Sequence, residues 1–262
     1  MPIYLSWNVY HGSIGAQTVQ QRVGQIVTFG IANNVDVICL QEVPKNQLDA
    51  VTAFGATTNI AAIHAYLDLT IPNWKNTYTL LQAYSENNPN GPNQANTADG
   101  YLIFYRGATY NAYANFGYYQ APTFQSLIGT TLRPPVTVDL TLAAGGGQVR
   151  VMNWHADTGA PFVTSAVVQL NVQLGNGNAV AQPTIVAGDF NYAGPINNLF
   201  TGTGVVGFPN WDDMRGVVRN AAGAVLSNGL DHILTSGNAN AVLAAGLSFR
   251  SDAYHYPIAV NV

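Results

Sequence analysis

The chain has 262 residues, 48% hydrophobic and 11% aromatic but only 8% charged, so it buries a large core and has none of the character of a disordered segment. A formal net charge of −4, from 9 Lys+Arg against 13 Asp+Glu with no run of like charges, excludes a basic arm or stripe announcing nucleic acid or an acidic membrane. No apolar stretch approaches the roughly 20 residues that span a bilayer, and the single cysteine, Cys39, sits in the apolar run VDVICL as a buried, inert thiol.

A strand-like run covers 3–9, with no basic segment before Ile3. Residues 17–34 place Val19, Val23, Ile26, Val27, Gly30 and Ile31 on one face at spacings of three and four, which predicts an amphipathic helix ended by Asn33 and Asn34. VDVICLQEV (35–43) reads as a buried strand, and the order strand, helix, strand predicts a β-α-β unit. A second helix is expected within 46–69, and the Asn, Pro, Gly and Ser of 84–100 predict a loop.

From Tyr101 the texture changes to strands: YLIFYR (101–106), PVTVDLTL (135–142) and QVRVMNWHAD (148–157), with GGG at 145–147 as a hairpin turn. The aromatic stretch 110–124 reads as strand and core, with a stacking or membrane-touching surface as the alternative. Phe162, Val163, Ala166, Val167, Leu170 and Leu174 recur at helical spacing. The strand TIVAGDFN, a Gly-rich irregular stretch, LDHILTS (230–236) and the closing strand YPIAVNV (256–262) follow. With no internal repeat and no linker, this order predicts a single domain over 1–262, two sheets in the middle and helices outside.

A buried charge needs a partner, a metal or a substrate to offset its desolvation, so polar groups that interrupt apolar strands single themselves out. Asn8 ends YLSWN, Glu42 ends VDVICLQE, and Asn153, His155 and Asp157 alternate along QVRVMNWHAD. Asp189 and Asn191 end TIVAGDFN, Asp231 opens LDHIL, and Asp252 and His255 precede the last strand. All fall at strand ends, where one rim of a sandwich gathers them into a cleft. Each has a plain structural reading as well: Asn8 as a turn residue, His155 as a hydrogen-bonded core histidine, Asp189 and Asn191 as a turn or helix cap, Arg106 as a surface charge. His11 reads as a loop residue, His64 as surface or packing, and His232 as a core residue on the face opposite Asp231.

Taken in order, the set resembles the endonuclease/exonuclease/phosphatase superfamily, metal-dependent phosphoesterases that include pancreatic-type deoxyribonuclease, the catalytic subunit of cytolethal distending toxin and bacterial sphingomyelinases. The resemblance runs through LSWNV (5–9), LQE (40–42), YLIFYR (101–106), LRPP (132–135), NWH (153–155), GDFN (188–191), LDHIL (230–234) and SDAYHYP (251–257). It implies an α/β fold, a four-layer α/β/β/α sandwich of two mixed β-sheets packed face to face with outer helices, and an active site at one rim. It also implies a divalent cation, Mg²⁺ or else Mn²⁺ or Ca²⁺, ligated by Glu42 with Asn8 and Asp252 nearby; hard oxygen ligands suit such ions.

By the same resemblance Asp189 orients or deprotonates the attacking water, Asn191 and Asn8 hold the substrate, and His155 and His255 flank the phosphate, with His155 protonating the leaving oxygen. Asp231 pairs with His255 and Asp99 with His155, while Arg133, and less directly Arg106, contact phosphate. The chemistry asks for the same parts, since phosphodiester hydrolysis needs a cation, a polarised water and an acid for the departing alkoxide. The implied activity is a Mg²⁺-dependent DNA endonuclease. The alternatives are a phospholipid or phosphoinositide phosphoesterase and a catalytically degenerate binding domain. A monomer, secreted and toxin-like, is expected by analogy alone. Two features depart from the family: Ala253 and Tyr254 separate Asp252 from His255 where the family has Asp and His adjacent, and 9 cations in 262 residues predict weak or salt-sensitive DNA binding.

Overall fold

A computed structural model describes residues 1–10, 17–44, 47, 50–51, 57–59, 62–84, 99–119, 132–157, 162–175, 182–215, 218–219, 225–226, 229–236, 240–241, 255 and 257–262. The chain begins with the expected β-α-β unit: β1 (Ile3–Asn8), α1 (Val19–Ala32) and β2 (Val37–Pro44), with β1 and β2 parallel. Thr18 and Gln21 form a capping box at the start of α1, and Asn33 caps its end. Ahead of the helix expected within 46–69, β3 (Ala50–Val51) pairs antiparallel with β4 (Thr57–Asn59). The Thr-rich, Gly55-interrupted sequence there suits strands better than helix. The helix, α2 (Ala62–Thr70), starts later and is followed by the short α3 (Trp74–Thr77).

Four strands come next, β5 (Tyr78–Tyr84), β6 (Asp99–Arg106), β7 (Tyr110–Tyr118) and β8 (Val136–Leu142). A second parallel β-α-β unit is built from β9 (Gln148–His155), α4 (Phe162–Gln173) and β10 (Thr184–Asp189). A 3₁₀ turn (Ile196–Phe200), β11 (Asp212–Arg215) and the small hairpin of β12 (Val218–Arg219) with β13 (Val225–Leu226) precede β14 (Asp231–Thr235), β15 (Asn240–Ala241) and β16 (Ile258–Asn261).

Two six-stranded mixed sheets result, ordered β15-β16-β1-β2-β6-β5 and β11-β14-β10-β9-β8-β7. Period-two alternation divides each strand between two layers. In β2, Val37 and Cys39 face the second sheet while Ile38 and Leu40 lie under α1 and α2. In β9, Val149 and Val151 face the first sheet while Met152 and Trp154 lie under α4. Three apolar clusters follow, one between the sheets and one beneath each helical layer. The aromatic stretch is a strand as expected, but only Tyr110 is core; residues 111–115 are exposed because β7 is the free edge of its sheet, and 120–124 lie outside the described residues. The loop expected over 84–100 likewise falls mostly on residues outside the described set.

Candidate active site

Alternation puts Asn8, Asn153, His155, Asp189 and Asp231 on the inner faces of their strands, and register does the rest. His155 is the lateral neighbour of Asp189, and Asp189 of Asp231. Glu42 joins them through a defect. Between Leu40 and Val43, β2 slips its register against β6, so that Gln41 and Glu42 together face the single residue Tyr101. Glu42 adopts a left-handed backbone (φ 56°) and turns into the cleft, while Val43 packs with the outer cluster.

Asn8 bridges the sheets, donating from Nδ2 to Glu42 Oε1 at 2.9 Å and to Asp189 Oδ2 at 3.0 Å. Its oxygen accepts the Tyr10 N–H at 3.0 Å, so Asn8 turns an N–H toward the two carboxylates, where a ligand would turn its oxygen. Asp189 is 1% exposed; Oδ1 accepts the Asn191 N–H at 2.8 Å and Oδ2 lies 3.5 Å from His255 Nε2 and 3.9 Å from His155 Nε2. Burial, and then the Asp231 charge, push the Asp189 carboxyl up to about 7, against the opposing pull of His255, Asn191 and Asn8. His255 Nδ1 is 2.9 Å from Asp231 Oδ2, and Asp231 Oδ1 is buried with no hydrogen-bond partner among the described residues. Asn191, left-handed at φ 53°, donates from Nδ2 to Ala156 O at 2.8 Å.

His155 Nε2 lies 3.5 Å from Glu42 Oε1, and its Nδ1 is 3.0 Å from Arg133 Nη1. A guanidinium only donates, so Nδ1 accepts and the ring proton sits on Nε2, facing the cleft. Arg133 is held in place by its own N–H to Asp157 Oδ2 (2.8 Å) and by the Trp154 indole on its carbonyl (2.8 Å). Ligand atoms of Glu42, His155 and Asp189, and separately of Asp189, Asp231 and His255, lie within 4.8 Å of one another. This donor set fits a divalent cation. Carboxylate oxygens of Glu42 and Asp189 converge with a histidine nitrogen, donors that such an ion takes.

The structure thus brings together Asn8, Glu42, Arg133, His155, Asp189, Asn191, Asp231 and His255. Arg106 is a correction. It ends β6 at the strand's far end, roughly 20 Å along from Gly100 at ~3.4 Å per residue, and gives its guanidinium to Val35 O (3.3 Å) and Gly30 O (3.4 Å) over the Tyr78 ring. It closes the α1–β2 connection and is not at the cleft. The Asp99 backbone pairs with Pro44 at the rim end of β6, but its side chain, like Asp252 and His11, lies outside the described residues. His64 packs edge-on against Trp74, and His232 is buried on the outer face of β14.

Two devices escaped the sequence reading. Arg22, fully buried, donates to Val9 O (2.9 Å), Gln17 O (2.9 Å) and Tyr10 O (2.7 Å), pinning the turn that follows Asn8. Its signal was available: an arginine three residues past Val19 and four before Ile26 stands on the apolar face of α1. Gln41 and Asn153 form an amide bolt between the sheets. Gln41 donates to Asn153 Oδ1 at 2.6 Å, and Asn153 donates to Leu40 O and Leu102 O, both at 3.0 Å, beside the bulge that carries Glu42.

Fold and cleft together define a class, four-layer sandwich proteins with a carboxylate and histidine cluster at the carboxyl ends of their parallel strands. The chain belongs to the Endonuclease/Exonuclease/phosphatase family, whose sequence model matches residues 5–252. Nucleases, phosphatases and phosphodiesterases make up that family, and its members are phosphoester hydrolases. The fold is shared with a family protein from Leptotrichia buccalis (15% identity, TM-score 0.63, covering 100% of this chain and 99% of that one). It is also that of the human Nocturnin catalytic domain, a structure with bound sulfate (16%, TM-score 0.58, 99% and 94%). Humanised D. rerio TDP2 has it too (14%, TM-score 0.59, 100% and 99%). No curated protein matches the chain by sequence. Among the described residues, no helix is long and apolar enough to cross a membrane.

Proposed function

We propose that this protein is a Mg²⁺-dependent phosphodiesterase that cleaves DNA endonucleolytically, acting as a single-domain monomer. Export and a toxin-like role rest on resemblance alone. One observation carries the catalytic reading: Asp189 Oδ2 is buried at the meeting point of Asn8, His155 and His255, with Glu42 across the cleft.

Glu42 and Asp189 would hold the divalent ion, which would supply neutralisation of the charge developing on the phosphate. Asp189 takes the proton of the attacking water, its Oδ2 standing in the cleft 3.5 Å from His255 Nε2 and 3.9 Å from His155 Nε2. His155 presents Nε2–H to a phosphate oxygen. The protonation of the leaving oxygen, expected of His155, passes to His255: an arginine faces Nδ1 of the first ring, whereas Asp231 faces Nδ1 of the second and favours its charged, donating form. Asn191 spends one amide N–H on Ala156 O and keeps the other for phosphate. Arg133 adds the cation beside it.

The test offers purified protein supercoiled plasmid and phosphatidylcholine–phosphoinositide vesicles in parallel, with Mg²⁺ and with EDTA. Metal-dependent nicking that His255→Ala abolishes is the expected result. Headgroup or phosphate release with the plasmid intact overturns the DNA substrate in favour of a lipid, and neither reaction overturns catalysis in favour of a binding domain.

A further inference from the structure

Behind the cleft, on the outer face of the second sheet, lies a buried histidine–aspartate pair that the proposed chemistry does not use. His232 is 0% exposed; Nδ1 is 2.7 Å from Asp213 Oδ1 and Nε2 is 2.9 Å from Tyr192 O. A carboxylate and a carbonyl both accept, so the ring donates on both sides. The second oxygen of Asp213 accepts the Ile196 N–H at 2.8 Å, and the imidazole lies 5.0 Å from the Phe190 ring and stacks at 6.5 Å on Tyr192.

Phe190 and Tyr192 flank Asn191, which is left-handed without being glycine. Asparagine accepts that backbone more readily than most residues, and here the turn is held from both sides. On the cleft side Asp189 Oδ1 holds the Asn191 N–H and Ala156 O holds its amide; on the far side the hold is His232 on the Tyr192 carbonyl. Adjacent residues of β14 therefore serve both faces, Asp231 on His255 in front and His232 on Tyr192 behind.

The geometry points to His232, backed by Asp213, as a positioning residue that fixes the Asn191–Tyr192 backbone and so aims the Asn191 amide at phosphate. This rests on the phosphate-contacting role given to Asn191 above. The test compares His232→Phe, which fills the ring's space without a donor, and His232→Gln, which keeps an N–H for Tyr192 O, each with and without Asn191→Ala. Two readouts are used: turnover of bis(4-nitrophenyl) phosphate with Mg²⁺, and hydrogen exchange of amides 191–196.

The expected outcome is a folded His232→Phe with kcat lowered about 10- to 100-fold, faster exchange at 191–196, and recovery of most of both in His232→Gln. In the Asn191→Ala background, His232→Phe changes kcat by less than about twofold, because the two act through one group. Multiplying effects, or wild-type kcat and exchange in His232→Phe, overturn the inference. An Asn191→Ala protein with undiminished kcat instead removes the phosphate role of Asn191, and exchange alone then decides whether His232 braces the turn. Should His232→Phe fail to fold, His232→Leu, smaller and likewise without a donor for Tyr192 O, replaces it in the same cycle.

Discussion

Glu42 sits where a β-strand would rather not put it. Its left-handed backbone (φ 56°) costs a non-glycine residue about 1–3 kcal/mol, and the bulge that imposes it turns the carboxylate into the cleft. Glu42→Gly is therefore expected to raise the metal-free melting temperature while abolishing turnover, and thermal unfolding in EDTA beside an activity assay checks both halves. Asn153 behaves oppositely. Replacing it with Leu leaves the Gln41 amide only its longer bonds to Ser6 Oγ and Cys39 O (both 3.2 Å) and takes the Asn153 donor from Leu40 O and Leu102 O, so denaturant titration is expected to show a loss of about 2 kcal/mol. Both residues were legible as polar interruptions of apolar strands. What the sequence could not reveal was the register slip that turns Glu42 inward, since alternation from Ile38 and Leu40 sends it outward. Arg22 lies outside that strand pattern, its signal being a lone charge on the apolar face of a helix.

At the scale of elements, the glycine of GDFN has a steric cause. A Cβ at Gly188 would lie 1.7 Å from Trp154 O on the neighbouring strand, so β9 and β10 can close on each other, and His155 on Asp189, only if position 188 has no side chain. Gly188→Ala is expected to cost more than about 4 kcal/mol, or to prevent folding, as a forced backbone separation does. On the outer face, β8 and β9 are clasped by Asp139 and Arg150 at 2.8 Å. Burial alone would raise the Asp139 carboxyl, but hydrogen bonds from Arg150, Asn115 and Gln182 outweigh it and hold it below the ordinary range. A carboxyl lowered in the folded state adds stability above its unfolded value near 4 and loses it as pH falls through the folded value. The melting temperature of the wild type should therefore fall more steeply than that of Asp139→Asn as pH drops below about 4. The two β-α-β units were legible because their helices and strands carry unmixed periodicities. The pairing of β3 with β4 and the exposure of β7 were not, because both depend on which neighbours a strand finds.

For the whole molecule, charge limits how a polyanion is held. Four of the nine cations are committed to the chain itself: Arg22, Arg106 and Arg150 by the bonds described, and Lys75 by Asp68 at 2.8 Å. With about 0.9 counterions released per phosphate contacted, the remaining five cap the slope of log affinity for duplex DNA against log salt at about −4.5. Fluorescence anisotropy across a salt series checks this, and a steeper slope means that a partner or a second copy supplies cations. A cation held between Glu42 and Asp189 is what would make the rim a phosphoester-cleaving site. The most direct test is Mg²⁺-dependent turnover of bis(4-nitrophenyl) phosphate by wild type and Glu42→Gln, with Mg²⁺ binding followed calorimetrically. The account predicts turnover that EDTA removes and Mg²⁺ restores, with Glu42→Gln folded, weaker in Mg²⁺ binding and slower by about 100-fold. Turnover indifferent to EDTA, or a Glu42→Gln protein that binds Mg²⁺ and reacts as the wild type does, contradicts it.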